Sequence, residues 1–245
     1  MELILAVRQE EMQGAASRGV ALAHLAYRIG DQGRLLRYRS AVAPKGGWMV
    51  IEGEGTVPSA TLPGEIGRER TLRGFTGVLL RLPRRSRETY APLVRALADL
   101  GQNLCLPESY GSLSAAAQVL IPTALSGGSY RERLEEAADR FGRERVALWV
   151  ERSAEDFFLP SPKGCGAVLS REELERIKMN KTIFFSTDLC SRYFSYREGD
   201  RGHFVLFDDG DTLRRKLQIA RELGIGRAFL PYGELGEFFN EILNI

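Results

Sequence analysis

Eight short apolar runs, separated by segments with helical periodicity, recur along almost the whole chain. Most are continuously apolar, which is typical of parallel strands covered on both faces. The predicted strands are residues 2–7, 21–27, 48–51, 75–80, 103–106, 117–121, 146–150 and 227–230. Eight such strands with intervening helices in 245 residues predict one α/β domain over residues 1–245, a single TIM-like (β/α)8 barrel. An open doubly wound sheet is disfavoured because no glycine-rich fingerprint follows the first strand.

One segment departs from the plain alternation of strands and helices. Residues 181–208 are rich in aromatic and β-branched side chains and contain a turn-forming stretch at 197–202, which predicts a small antiparallel insertion between strand 7 and helix 7. The last long helix is predicted to follow Asp211 as its N-cap and to end at Gly224.

Composition excludes several classes of function. The 34 basic and 32 acidic residues leave a net charge of +2, which argues against nucleic-acid binding. No apolar run is long enough for a membrane span. The first residues carry no secretion signal, and the three cysteines lack metal-ligand spacing, so a reduced, cytoplasmic protein is expected. With only His24 and His203 and no cluster around either, neither a metal site nor any cofactor is predicted.

One motif points to a family. Residues 74–83 are Gly-Phe-Thr-Gly-Val-Leu-Leu-Arg-Leu-Pro. They resemble the fourth barrel strand of family-18 glycoside hydrolases, where the pattern is Gly-Phe-Asp-Gly-Ile-Asp-Ile-Asp-Trp-Glu. Residues 193–209 and 213–226 are similar to further segments of that family, particularly of its compact bacterial members associated with spore-coat and cell-wall lysis. The resemblance implies a chitinase-like barrel and leaves an association with spores open.

The chain departs from the family pattern where the chemistry would lie. Thr76, Leu79, Arg81 and Pro83 replace the four carboxylates, including the glutamate that protonates the leaving oxygen and the aspartate that orients the acetamide. The tryptophan at the floor of the family's site corresponds to Leu230. The resemblance therefore implies a pseudoenzyme that serves as a carbohydrate-binding or interaction module, with a glycan, a cell-wall fragment or a protein as partner.

Polar residues at the predicted strand ends supply candidate site residues, because barrel enzymes place function at the C-terminal ends of their strands. The candidates for ligand binding are Glu52, Arg81, Glu108, Glu151 and Tyr232. The three glutamates could converge on Arg81. Such relocated carboxylates, with Glu108 and Glu151 as the catalytic pair, would make an active hydrolase of an N-acetylglucosamine-containing glycan. A second alternative is that these charges only neutralise one another. A third is that residues 184–207 contact a protein partner.

Overall fold

The computed structural model describes residues 1–39, 43–84, 87–160 and 166–243, and these form two compact units. The first unit comprises Met1–Ile121, Ala137–Trp149 and Gly224–Gly233, and the second comprises Pro122–Glu136, Val150–Leu223 and Glu234–Ile245. The strands are β1 (Glu2–Val7), β2 (Ala21–Ile29), β3 (Leu35–Arg37), β4 (Trp48–Glu52), β5 (Gly77–Arg81), β6 (Leu104–Pro107), β7 (Gln118–Pro122), β8 (Val146–Trp149), β9 (Ala154–Leu159), β10 (Ala167–Val168), β11 (Phe184–Ser186), β12 (Ser191–Glu198), β13 (Arg201–Phe207) and β14 (Arg227–Pro231). The helices are α1 (Met12–Ala16), α2 (Leu62–Arg73), α3 (Arg87–Asp99), α4 (Tyr130–Phe141), α5 (Arg171–Lys178), α6 (Gly210–Glu222), α7 (Tyr232–Leu235) and α8 (Phe239–Ile242).

Eight parallel strands of the first unit close into a barrel. Their order is β1-β2-β4-β5-β6-β7-β8-β14 and back to β1, with β3 added antiparallel to the end of β2. Every one of these eight strands coincides with a predicted apolar run, so the predicted TIM-like barrel is confirmed. The strands form here because continuous apolar runs can be buried on both faces at once.

Alternating side chains of these strands fill the barrel interior. The interior cluster consists of Ile4, Ala6, Ala23, Leu25, Trp48, Val50, Leu79, Cys105, Leu120, Ala147, Trp149 and Phe229. The residues between them point outward, where those of β4 to β6 pack under α2 and α3. The interior is thus a packed core, as in other barrels of this size.

The second unit contains a five-stranded antiparallel sheet in the order β10-β9-β13-β12-β11. One face of it carries a core of Ala154, Phe194, Val205 and Phe207 that packs against Leu174 of α5. The predicted antiparallel insertion is confirmed. In sequence, however, the sheet begins at Ala154, earlier than the predicted start at residue 181, because β9 and β10 also belong to it.

Candidate functional site

The alternation of side chains along β4 and β5 determines which residues face the barrel axis at the C-terminal end. Val50 and Leu79 belong to the interior cluster. Two residues further along each strand, Glu52 and Arg81 therefore face the same way. They are also direct neighbours in the pairing of β4 with β5. The sequence thus places one acid and one base side by side at the mouth of the barrel.

Four side chains meet there and are referred to below as the mouth cluster: Tyr38, Glu52, Arg81 and Trp149. Arg81 Nη1 donates to Glu52 Oε1 at 2.9 Å, and the Tyr38 hydroxyl donates to Glu52 Oε2 at 3.1 Å. The guanidinium carbon of Arg81 lies 4.6 Å from the centre of the Trp149 ring. Because β8 is three strands away from β5 in the barrel order, this stack carries Arg81 across the barrel axis.

The mouth cluster is buried on one side only. Trp149 is 6% exposed and forms the floor beneath the guanidinium. The side chain of Glu52 is 19% exposed and that of Arg81 is 38% exposed, so the ion pair is shielded on one side and open to solvent on the other. Burial raises the pKa of the Tyr38 hydroxyl, and the negative charge of Glu52 raises it further. The hydroxyl is therefore protonated at neutral pH and can donate its hydrogen bond to Glu52.

Besides Arg81, three residues replace carboxylates of the resembling motif, and all three have contacts within the fold. The Thr76 hydroxyl donates to the carbonyl of Gly47 at 2.9 Å, and Leu79 is fully buried inside the barrel. The carbonyl of Pro83 accepts a hydrogen bond of 2.9 Å from the Tyr110 hydroxyl. None of the three side chains carries an acid that could protonate a leaving group.

The remaining candidate residues have other partners. Glu108 lies in the 3-10 turn after β6, 3.8 Å from Arg140 of α4. Glu151 follows β8 and belongs to the second unit, where its backbone N–H and carbonyl both bond to the Thr123 hydroxyl. Tyr232 opens α7 and lies against Gly14, whose added Cβ would come within 2.7 Å of the Tyr232 hydroxyl. Their roles as ligand-binding or catalytic residues stay predictions.

The structure changes one assignment made from the resemblance. Phe229 faces the barrel interior, so its neighbour Leu230 lies on the outer face of β14, where it is fully buried. Leu230 therefore does not stand at the floor of the mouth. Trp149 does. Sequence reasoning passed over Trp149 and Tyr38, although Trp149 sits at the end of a predicted strand, where an inward aromatic residue would be a signal.

A mirror arrangement closes the opposite end of the barrel. Arg227, the first residue of β14, lies over Trp48, the first residue of β4, at 4.8 Å. Its Nε donates to Glu2 at 2.7 Å, and its Nη1 bonds to Gln118. An arginine stacked on a tryptophan thus covers the apolar interior at both ends.

The second unit contains two buried polar clusters. Lys216 Nζ donates to Asp208 at 2.8 Å with both side chains wholly buried, and Ser191 and Thr212 donate to the other oxygen of Asp208. In the other cluster, His203 Nδ1 lies 2.9 Å from Asp156 Oδ2, which also accepts from Tyr196. His203 and Asp156 are both buried, and within the described residues Asp156 Oδ1 and His203 Nε2 have no hydrogen-bond partner.

The aromatic side chains of residues 184–207 lie on both faces of the antiparallel sheet. Phe194 and Phe207 lie in the core beside α5. On the opposite face, the rings of Phe184, Tyr193 and Phe204 follow one another at 5.5 and 5.3 Å, and Phe184 is half exposed. A protein partner at this segment stays a prediction.

Within the described ranges, no helix is long and apolar enough to cross a bilayer. The same part of the chain holds no group of three or more His, Cys, Asp or Glu side chains arranged to bind a metal ion.

Solved structures of chitinase-like proteins resemble this chain over nearly its whole length. A chitinase from Chromobacterium violaceum matches with a TM-score of 0.70 and 14% identity, covering 99% of this chain and 98% of that one. The spore cortex-lytic enzyme SleL from Bacillus cereus matches with a TM-score of 0.67 and 16% identity, covering 99% and 73%. Human YKL-39, described as a pseudo-chitinase with retained chitooligosaccharide binding, matches with 0.63 and 12%, covering 98% and 95%. No protein-family model matches the chain, and neither does any curated protein.

The fold is therefore that of a family-18 glycoside hydrolase-like barrel, as the motif in residues 74–83 predicts. The structural likeness establishes the fold, and at identities this low the activity has to be argued from the site.

Proposed function

We propose that this protein is a catalytically inactive family-18-like barrel that binds an N-acetylhexosamine glycan at the barrel mouth. The observation that carries the proposal is the mouth cluster. Arg81 stands where the resembling motif has an orienting aspartate, and it holds Glu52 while lying on Trp149. Pro83 stands in place of the acid and has no proton to give.

Binding without hydrolysis is a known outcome on this fold. Human YKL-39 is described as a pseudo-chitinase that retains chitooligosaccharide binding, and it shares the barrel architecture of this chain. The mouth cluster offers both groups that sugars commonly contact, namely an aromatic ring and charged hydrogen-bonding side chains. The likeness to spore cortex-lytic enzymes supports a cell-wall glycan, and a place in the spore, as part of the same proposal.

Ligand-observed NMR tests the proposal directly. The protein is mixed with chitotetraose and followed for a day by saturation transfer and by the anomeric proton signals. We expect saturation of the sugar protons and no new anomeric signals. The Arg227→Met variant is the matched control, because it removes an arginine–tryptophan stack at the other end of the barrel and should leave binding intact. Absence of saturation with this sugar and with muropeptides would contradict the proposal.

Hydrolysis by relocated carboxylates is the alternative function. It needs an acid that can release a proton to the leaving oxygen. Glu52 is poorly suited, since its two oxygens accept hydrogen bonds from Arg81 and Tyr38. Glu108 and Glu151 would then carry the reaction. If new anomeric signals grow in the NMR experiment, Glu108→Gln and Glu151→Gln should abolish them while leaving the protein folded.

A further inference from the structure

We propose that the glycan bound at the mouth carries a carboxylate, and that Arg81 is the residue that selects it. This inference rests on the proposed function, since it names the chemical class of the ligand at the same site. It follows from a comparison of three arginines of the barrel unit, which use their guanidinium groups differently.

Arg145 and Arg227 show what a structural arginine looks like in this unit. Arg145 donates from all three nitrogens to backbone carbonyls, among them those of Ala117, Gly111 and Ser114. Arg227 also uses all three, with Nε and Nη2 on Glu2 and Nη1 on Gln118. In both residues, all three guanidinium nitrogens are bonded to the protein.

Arg81 is different. Within the described part of the chain, only its Nη1 has a protein partner, which is Glu52. A guanidinium carries five N–H donors arranged as a planar fork. The edge formed by Nε and Nη2 is therefore available, and the side chain is 38% exposed. The arginine is thus held by the protein on one edge and open on another.

The surroundings of Arg81 make that open edge a ready binding site. Trp149 lies 4.6 Å beneath the guanidinium and Glu52 fixes one corner of it. These contacts restrict the rotation of the plane, so little conformational entropy is lost on binding. The planar fork matches the two oxygens of a carboxylate, which it binds through two parallel hydrogen bonds.

A singly charged carboxylate suits this site better than a phosphate monoester. The Glu52 carboxylate is only 2.9 Å from Arg81 Nη1 and repels any anion bound to the same guanidinium. That repulsion grows with the charge of the ligand, and a phosphate monoester carries up to two negative charges. The geometry therefore points to an amino sugar with a carboxylate substituent.

A matched pair of disaccharides tests the inference. One is N-acetylglucosamine linked to N-acetylmuramic acid, which has a lactyl carboxylate, and the other is the same compound with that carboxylate converted to a carboxamide. We expect the wild-type protein to bind the acid at least about tenfold more tightly than the amide, because charged hydrogen bonds are strong and specific. The preference should weaken as the salt concentration rises.

Three variants test whether Arg81 is the residue responsible for the preference for the acid over the amide. In Arg81→Met the acid and the amide should bind equally, whereas Arg227→Met should keep the wild-type preference. Arg81→Lys keeps the charge without the planar fork and should retain only part of it. Thermal unfolding of each variant verifies folding, and the wild-type comparison needs no variant at all.

The outcomes separate this inference from the proposed function. Equal affinity of the wild-type protein for the acid and the amide would overturn the inference and leave a glycan-binding barrel. A preference that survives in Arg81→Met would also overturn it. If neither disaccharide nor chitotetraose binds, the proposed function fails as well.

Discussion

Lys216 and Asp208 illustrate what a single buried charge demands of its neighbours. Both side chains are wholly removed from water and lie 2.8 Å apart. Asp208 also accepts hydrogen bonds from Ser191, Thr212 and the backbone of Ser153. An ionised group in such surroundings is tolerated only because an opposite charge and several donors replace the water it has lost.

Removing one member of this pair should be costly. We expect Lys216→Met to lower the free energy of unfolding by about 3–5 kcal/mol, because it leaves Asp208 buried without a cation. Urea unfolding followed by circular dichroism measures the loss. The control is Arg215→Met, one residue away, which breaks a half-exposed pair with Asp211 and should cost less than about 1 kcal/mol. Similar losses in the two variants would show that burial of the pair does not matter.

The mouth cluster shows how far sequence reasoning reaches for individual residues. Glu52 and Arg81 could be placed at strand ends from the apolar runs that precede them, and their ion pair was among the expected arrangements. Trp149 could not be assigned to Arg81, because the two lie three strands apart in the barrel order and about seventy residues apart in sequence. Only closure of the barrel brings them together.

At the scale of elements, α6 starts two residues earlier than the sequence pattern predicts. The N-cap is Asp209, whose Oδ1 accepts from the Thr212 backbone N–H at 2.9 Å while the Thr212 hydroxyl accepts from the Asp209 N–H. Asp211, the predicted cap, lies in the first turn and pairs with Arg214 and Arg215. Three aspartates in four residues make each a plausible cap, and only Asp209 has a suitable partner three residues later.

The two aspartates should therefore differ in their effect on stability. Asp209→Ala is expected to lower the free energy of unfolding by about 1–2 kcal/mol, since it removes the cap and an ion pair with Arg192. Asp211→Ala should cost less, because it removes ion pairs with Arg192, Arg214 and Arg215 but no capping hydrogen bond. Asp209→Asn keeps the capping oxygen and should recover most of the loss. A larger effect of Asp211→Ala in urea unfolding would contradict the assignment.

The antiparallel sheet marks the limit of prediction at this scale. The barrel strands are continuously apolar, so all eight could be recognised. Strand β9 contains Glu155 and Asp156 in its first half, and such charges argue against a strand until a partner is known. Asp156 finds that partner in His203 of β13, 47 residues later. A contact of that sequence separation leaves no local signal.

At the scale of the whole molecule, neither compact unit is a continuous stretch of chain. Each is assembled from three segments, so the chain passes from one to the other several times. Among the described residues, each unit also has one buried thiol, Cys105 in the barrel interior and Cys190 in the second unit. These thiols can report separately on the opening of each unit.

Thiol labelling in increasing urea tests whether the units unfold together. Burial raises the pKa of both thiols, that of Cys190 to about 11, and only the thiolate reacts. We expect no labelling in the native state and equal midpoints for the two cysteines, because neither unit can separate as one segment. Cys165 lies outside the described residues and is replaced by serine in this experiment. Labelling of Cys190 at clearly lower urea would show that the second unit opens alone.

The pair formed by Glu52 and Arg81 also shapes which evolutionary changes are open to this barrel. An aspartate at position 81 would face Glu52 in the strand register and create two adjacent carboxylates. If position 83 alone were changed to glutamate, the Arg81 side chain would still extend over Trp149 and occupy the barrel mouth. Each single step towards the hydrolase pattern is therefore unfavourable before it brings any activity. Under the proposed function, a change to the hydrolase pattern would therefore need substitutions at positions 81 and 83 together with a change at position 52, which no single mutation can supply.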